Sequence, residues 1–319
     1  MTSASPQTFV AERAGRMCPR DYNYPPSVFD RPPEITADVL YVVGGLYGNL
    51  AALDAIEALA ARERMPPTIV FNGDFHWFDA EPAWFAEIEQ RVTLAIRGNV
   101  ETEIARVYDI GAGCGCAYPE AVADTTVSRS NEILSELREA ASAGARARLG
   151  RLPMHSVARV GDLKVGIVHG DATALAGWRF AHDALDDPAQ RPWLADIQSA
   201  ARVDLFASTH TCLAVLRDFD LPGGRLTVIS NGAAGMPNFS GSQAGLLSRI
   251  ATTPSPHTAL YGLVRDGVHI DAIPIHYDTR AFLDRFLARW PERSPAHASY
   301  FRRIVEGPEY SVAAARGHT

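Results

Sequence analysis

Residues 39–49 read VLYVVGGLYGN, and the fold is decided by how that stretch is read. Val39–Val43 is a β-branched and aromatic run stopped by Gly44 and Gly45, the pattern of a short buried strand. Asn49 opens the next segment, where apolar residues at 50, 53, 56 and 59 mark one face of a helix. The pattern then repeats. Thr68–Phe71 stops at Asn72, Gly73 and Asp74, a helix is expected over Pro82–Gln90, and Val92–Ile96 stops at Gly98 and Asn99. A βαβαβ opening of this kind predicts an α/β sheet whose site lies at the carboxyl ends of its strands.

Further along, a Gly-rich loop over Gly111–Cys116 precedes a helical stretch over Ser130–Leu149. Two more strands run into histidine: Leu163–Val168 meets His169-Gly-Asp171, and Val203–Phe206 meets Ser208-Thr-His210. Leu226–Ile229 ends at Asn231 and Gly232, Tyr261–Val264 and Val268–Ile275 alternate as closing strands, and a last helix is expected over 279–290. Before all this, residues 1–37 are Pro-rich and polar and read as an extension that wraps the domain. The domain itself is expected over 38–308, with 309–319 a loose tail.

Composition narrows the function classes. The 319 residues hold 47% apolar and 21% charged side chains, enough to bury a core. Thirty Lys and Arg against 37 Asp and Glu give a net charge of -7, which argues against duplex nucleic acid as a partner. No apolar run is long enough to span a membrane, and the N-terminus lacks the apolar core of a secretory signal. Four scattered cysteines do not make a disulfide framework, so a reducing, cytoplasmic setting is expected.

Several strands in order end in Gly, Asn, Asp or His, which predicts loops converging on one polar pocket. Asp74, Asn99, His169 and His210 are ligand types suited to Mn, Fe, Zn or Mg. With these segments in view, the chain resembles the calcineurin-like metallophosphoesterases, in the bacterial subgroup of small phosphodiesterases and diadenosine-tetraphosphatase-like proteins. That family's ordered motifs are D-x-H-G-N, G-D, G-N-x-D/E, H-G, G-H-T-H and N-x-G-S-x-G-x-P. Their counterparts here are Gly45–Asn49, Gly73-Asp74, Gly98-Asn-Val-Glu101, His169-Gly170, Ala207–His210 and Asn231–Pro237. Tyr277-Asp278 matches a later Tyr-Asp of the subgroup. The resemblance implies a four-layer α-β-β-α sandwich of two mixed sheets. It also implies hydrolysis of phosphomonoesters or phosphodiesters, nucleotide-like ones among them, so that a small phosphorylated molecule is the expected partner.

The same resemblance implies two metals that clamp a bridging hydroxide. Carried over position by position, the first metal would find Gly45, Tyr47, Asp74 and His210, two of which offer no ordinary ligand. The second would find Asp74, Asn99, His169 and Ser208, of which the first three are ligands. Val100 stands where the family often has a histidine. Three readings follow. One divalent ion rather than two is held by Asp74, Asn99, His169 and His210, with Asn99 and His210 also serving the chemistry. Alternatively, His76 joins a rebuilt site, since Asp74-Phe-His76 restores a D-x-H spacing on one side of an extended segment, with Asp171 and Cys212 close to family positions. In the third reading no metal binds, and the pocket, with Tyr47, Asn49, Val100, Asp171, Ser208 and Cys212 around it, takes a ligand or partner without catalysis. A C-x-C pair, Cys114 and Cys116, adds a weaker option of soft-metal or redox chemistry against the plainer one of a flexible loop.

Overall fold

The computed structural model describes residues 14–317. Its strands are β1 Ile35–Thr36, β2 Val39–Val43, β3 Thr68–Asn72, β4 Ala95–Ile96, β5 His155–Val160 and β6 Leu163–Val168. After them come β7 Leu205–Ser208, β8 Ala214–Leu221, β9 Gly224–Asn231, β10 Gly245–Ala251, β11 Tyr261–Arg265 and β12 Val268–Ile275. The first helices are α1 Leu50–Ala60, α2 Pro82–Arg91, α3 Asn99–Ala105, α4 Asp124–Ala140 and α5 Ala143–Leu149. The remaining ones are α6 His182–Asp186, α7 Arg191–Ala201, α8 Thr279–Arg289, α9 Pro295–Glu306 and α10 Val312–Arg316.

Two six-stranded mixed sheets result, ordered β11-β12-β10-β2-β3-β4 and β1-β5-β6-β7-β9-β8. In the first, β2, β3 and β4 run parallel and β10 pairs antiparallel to β2. In the second, β6, β7 and β9 run parallel. The alternation of side chains along β2 divides its burial between two cores. Leu40 and Val42 face the other sheet, where they meet Val165, Ile167, Leu205 and Ile229. Val39, Tyr41 and Val43 face helices, packing with Leu53 and Ile56 of α1 and with Trp84 of α2. Outside the second sheet, Val168, Phe206 and Val228 pack under Leu194 and Ile197 of α7. Each such fully buried side chain contributes about 1.5–3 kcal/mol, so a strand apolar on both faces is stable only between two covered layers.

Four expectations need correction. The strand expected over Val92–Ile96 shrinks to Ala95–Ile96, because Val92 instead closes α2 by donating its N–H to the Ile88 carbonyl. The single helical stretch over Ser130–Leu149 is two helices. Ala141 leaves helical geometry and Ser142 starts α5, its hydroxyl accepting from the Ala145 N–H at 3.1 Å. A helix not anticipated at all, α9, begins at the N-cap Ser294. Finally, the tail is not loose over its described part: Tyr310 is buried, its hydroxyl donates to the Ala214 carbonyl at 2.8 Å, and Ser311 caps α10.

The described part of the N-terminal extension lies against the domain. Tyr22, Tyr24 and Phe29 are buried, and the Tyr22 hydroxyl donates to Glu103 at 2.6 Å. Residues 1–13 of that extension lie outside the described residues. Among the described residues, no helix is long and apolar enough to cross a membrane.

Candidate metal centre

Asp74 follows the carboxyl end of β3 in a left-handed conformation, φ 52°. A carboxylate from the next motif holds it there. Glu101, on α3, accepts the N–H groups of Asp74 (2.9 Å), Phe75 (3.0 Å), His76 (3.4 Å) and Gly98 (2.8 Å). Gly98 is forced by the same packing, since a Cβ there would collide with the Asp74 carboxylate. Burial, together with the charge of Asp74, pushes Glu101 up to about 7.

The other members arrive from three separate segments. Asn99 opens α3, His169 follows β6 and His210 follows β7. Each is aimed by a backbone carbonyl. Nδ1 of His169 lies 2.9 Å from the Asn72 carbonyl and Nε2 of His210 lies 3.0 Å from the Cys116 carbonyl. Because a carbonyl can only accept, both of those nitrogens carry hydrogen. Likewise the Asn99 amide donates to the Cys114 carbonyl at 2.9 Å, which turns its Oδ1 inward. Around Nε2 of His169 therefore stand Asn99 Oδ1 at 3.0 Å, His210 Nδ1 at 3.0 Å and Asp74 Oδ1 at 3.4 Å. In neutral histidines all four atoms are acceptors.

Four buried acceptors facing one another require a cation between them. A proton can serve, and the electrostatics without metal show where it goes. Burial disfavours charge on His169, but the Asp74 carboxylate outweighs it and raises the pKa. Asp74 is correspondingly lowered, since His169 more than offsets its own burial. His210, buried beside that charge, is pushed down to about 3. A divalent ion is the other solution. Ligand atoms around an ion at about 2.0–2.2 Å stand roughly 3.0–3.5 Å apart, and the three separations from His169 Nε2 fall in that range. Asp74, His169 and His210 each offer a ligand atom within 4.8 Å of the other two.

Tyr47 fills the space beside Gly45. It too is left-handed, φ 55°, and its ring folds back over Gly45. A Cβ on Gly45, itself at φ 62°, would lie 2.9 Å from that ring. A side chain at 45 and this ring thus exclude each other. The Tyr47 hydroxyl lies 2.9 Å from Cys212 Sγ, and burial raises the phenol well above its ordinary range, so it keeps its proton.

Other expected members lie elsewhere. His76 is no ligand beside Asp74: Nδ1 meets Asp79 at 2.5 Å, Nε2 meets Glu89 at 3.0 Å, and its ring stacks on Phe85. Asp171 is taken up by its own turn, accepting the N–H groups of Thr173, Ala174 and Arg179. Asn49 caps α1 and donates to the Gly235 carbonyl. Ser208 is buried at the end of β7. Tyr47, Val100 and Cys212 do line the pocket, together with Asp74 and His210. The cysteine loop serves through its carbonyls, and among the described residues no cysteine belongs to a group spaced to hold a metal.

Sequence reasoning gave Glu101 no role, although G-N-x-D/E contains it, because the motif does not reveal that its carboxylate gathers four amides. It also missed Trp77, Tyr118, Trp178 and Arg303, which complete the pocket wall from four distant segments. No local pattern marks them.

The two mixed sheets with helices outside, and a pocket at the strand ends, match the α/β sandwich expected from the sequence. No protein-family model and no curated protein matches the sequence. Solved structures do match. A hypothetical protein from Pyrococcus horikoshii is similar at a TM-score of 0.57 and 17% identity, covering 86% of this chain and 100% of its own. A metallophosphoesterase from Sphaerobacter thermophilus is similar at a TM-score of 0.53 and 16% identity, covering 85% of this chain and 100% of its own. At such identities the likeness is one of fold.

Proposed function

We propose that this chain is a phosphoesterase that works with a single divalent ion, of the Mn, Fe, Zn or Mg type, on a small phosphorylated molecule. One observation carries the reading: Asn99 Oδ1, His210 Nδ1 and Asp74 Oδ1 surround His169 Nε2 as acceptors, and Asn99 and both histidines are oriented by hydrogen bonds to carbonyls outside the cluster. Backbone carbonyls that hold the other ring nitrogen of each histidine, and so fix its tautomer, are what a metal ligand set needs. An ion bound there would supply Lewis acidity toward a phosphoryl oxygen and a lowered pKa for bound water. Asp74 would contribute the one negative charge, while Asn99 and the histidines bind as neutral ligands. Glu101 would hold the Asp74 loop, and Val100 would keep one wall of the pocket apolar.

The test is hydrolysis of a bis-aryl phosphate with and without added Mn. Activity should require the metal and fall by at least about a hundredfold in Asp74→Ala and His169→Ala, the scale expected when a metal or its ligand is removed. Metal-independent hydrolysis, or full activity in both variants, would overturn the reading. A second reading, a binding protein without catalysis, is favoured by the Tyr47 ring lying over Gly45. Metal uptake without turnover of any aryl phosphate would select it.

A further inference from the structure

The cavity wall beside the metal centre is built of rings. Trp178, between β6 and α6, and Tyr118, after the cysteine loop, both line it, and both are half-buried. Their polar ends are already engaged. The Trp178 indole N–H donates to the Cys116 carbonyl at 3.0 Å, and the Tyr118 hydroxyl lies 3.1 Å from that of Ser130. What remains for the cavity is ring surface. Trp178 also packs directly on the ligand set: its ring centroid is 5.2 Å from that of His210, at 72°. The Cys116 carbonyl that takes the indole N–H also takes that of His210 at 3.0 Å, so one loop atom fixes both rings. Tyr118 continues the wall, 6.1 Å from Trp178 at 45°.

Rings pair favourably at centroid separations of about 4.5–7 Å, and a third ring can join this row from the cavity side. There is room for one: the cavity measures about 180 Å³, and an apolar cavity of about 150 Å³ is enough for benzene. The row begins at a metal ligand, so a ring held against Trp178 lies close to a phosphoryl group bound at that centre. An aryl ester meets this geometry, because its ring is bonded to the ester oxygen. A nucleotide does not, because its ribose stands between base and phosphate. We propose that Trp178 and Tyr118 determine the specificity of the site, selecting a phosphoester of a phenol-type alcohol. The proposal rests on the phosphoesterase reading for its phosphoryl group, while the ring site is testable apart from catalysis.

Benzylphosphonate is the probe, since a methylene replaces the ester oxygen of a phenyl ester and nothing can be hydrolysed. Cyclohexylmethylphosphonate is its saturated counterpart of equal charge. Binding is read by calorimetry on the full chain with Mn added. Benzylphosphonate should bind about threefold to tenfold more tightly, the scale of an aromatic pair. Trp178→Leu and Tyr118→Leu should each remove much of that preference and leave the saturated probe nearly unchanged. Trp178→Phe and Tyr118→Phe, which keep a ring and drop the polar end, should retain it, and they decide the matter if a leucine variant fails to fold. No binding of benzylphosphonate, or equal affinity of wild type for the two probes, overturns the inference. So does a loss in Trp178→Phe as large as in Trp178→Leu, which would make the indole N–H the working part. 4-Phenylbutylphosphonate, whose ring stands away from phosphorus as a nucleobase does, should respond less to Trp178→Leu than benzylphosphonate. A larger response would overturn the phenol-type assignment. Trp178-dependent preference for benzylphosphonate in a protein that hydrolyses no aryl phosphate would uphold the ring site and overturn the phosphoesterase reading alone.

Discussion

At the scale of single residues, the site is defined by what each side chain can no longer do. His169, His210 and Asn99 have spent their donors on carbonyls, so only lone pairs remain for the centre. Tyr47 and Gly45 form the opposite kind of pair, in which one side chain occupies the space the other vacated. Gly45→Asp alone should therefore destabilise the protein by about 1–3 kcal/mol, through left-handed backbone strain and collision with the ring. Adding Tyr47→Ala should recover the collision part, and chemical denaturation of the two variants checks it. Equal stability of single and double variants would mean the ring does not guard that space.

At the scale of elements, a histidine that sequence spacing offered as a ligand instead clamps helices. His76 follows β3 and meets Asp79 in its own loop and Glu89 of α2, which is also bound by Arg148 of α5. Burial works against a charge on His76, but Asp79 and Glu89 outweigh it and lift the pKa to about 9. A pKa raised on folding stabilises the protein most fully below the ordinary histidine value, and the contribution fades as pH rises from about 6.5 to about 9. Its size is about 3 kcal/mol at most. Wild type should thus lose stability over that window, and His76→Phe should start lower and show a flatter pH profile in urea melts. A parallel profile in the variant would contradict the assignment.

Strands and the strand-end motifs were legible in the sequence because burial on both faces leaves continuous apolar runs and the turns after them demand Gly, Asn or Asp. The Ser142 break was written locally too, as a helix cap inside a run of small residues. The alternative that set His76 beside Asp74 rested on a spacing of two, which gives a shared side only in extended backbone, and Asp74 at φ 52° is not extended.

At the scale of the whole molecule, the pocket is closed by the part of the chain whose sequence said least. Ser299, Tyr300 and Arg303 come from α9, and the segment after it returns to the second sheet. Tyr310 stacks on Phe239, hydrogen-bonds Ala214 and precedes α10, which Arg217 binds through the Ala315 carbonyl. Tyr310→Ala should cost about 2–4 kcal/mol and lower the melting temperature. Tyr310→Phe should cost only about 1 kcal/mol. A loose tail would show neither loss. The closing helix does carry local signals, a Ser294 cap and Pro295 in its first turn, but the pocket contacts of Ser299, Tyr300 and Arg303 are long-range and leave no local mark.

The single-ion centre is tested most directly by the number of metal ions bound per chain, measured by elemental analysis after purification without chelator and dialysis against Mn. One ion per wild-type chain is expected, and none in Asp74→Ala or His169→Ala. Two ions per chain, or none in wild type, would contradict it.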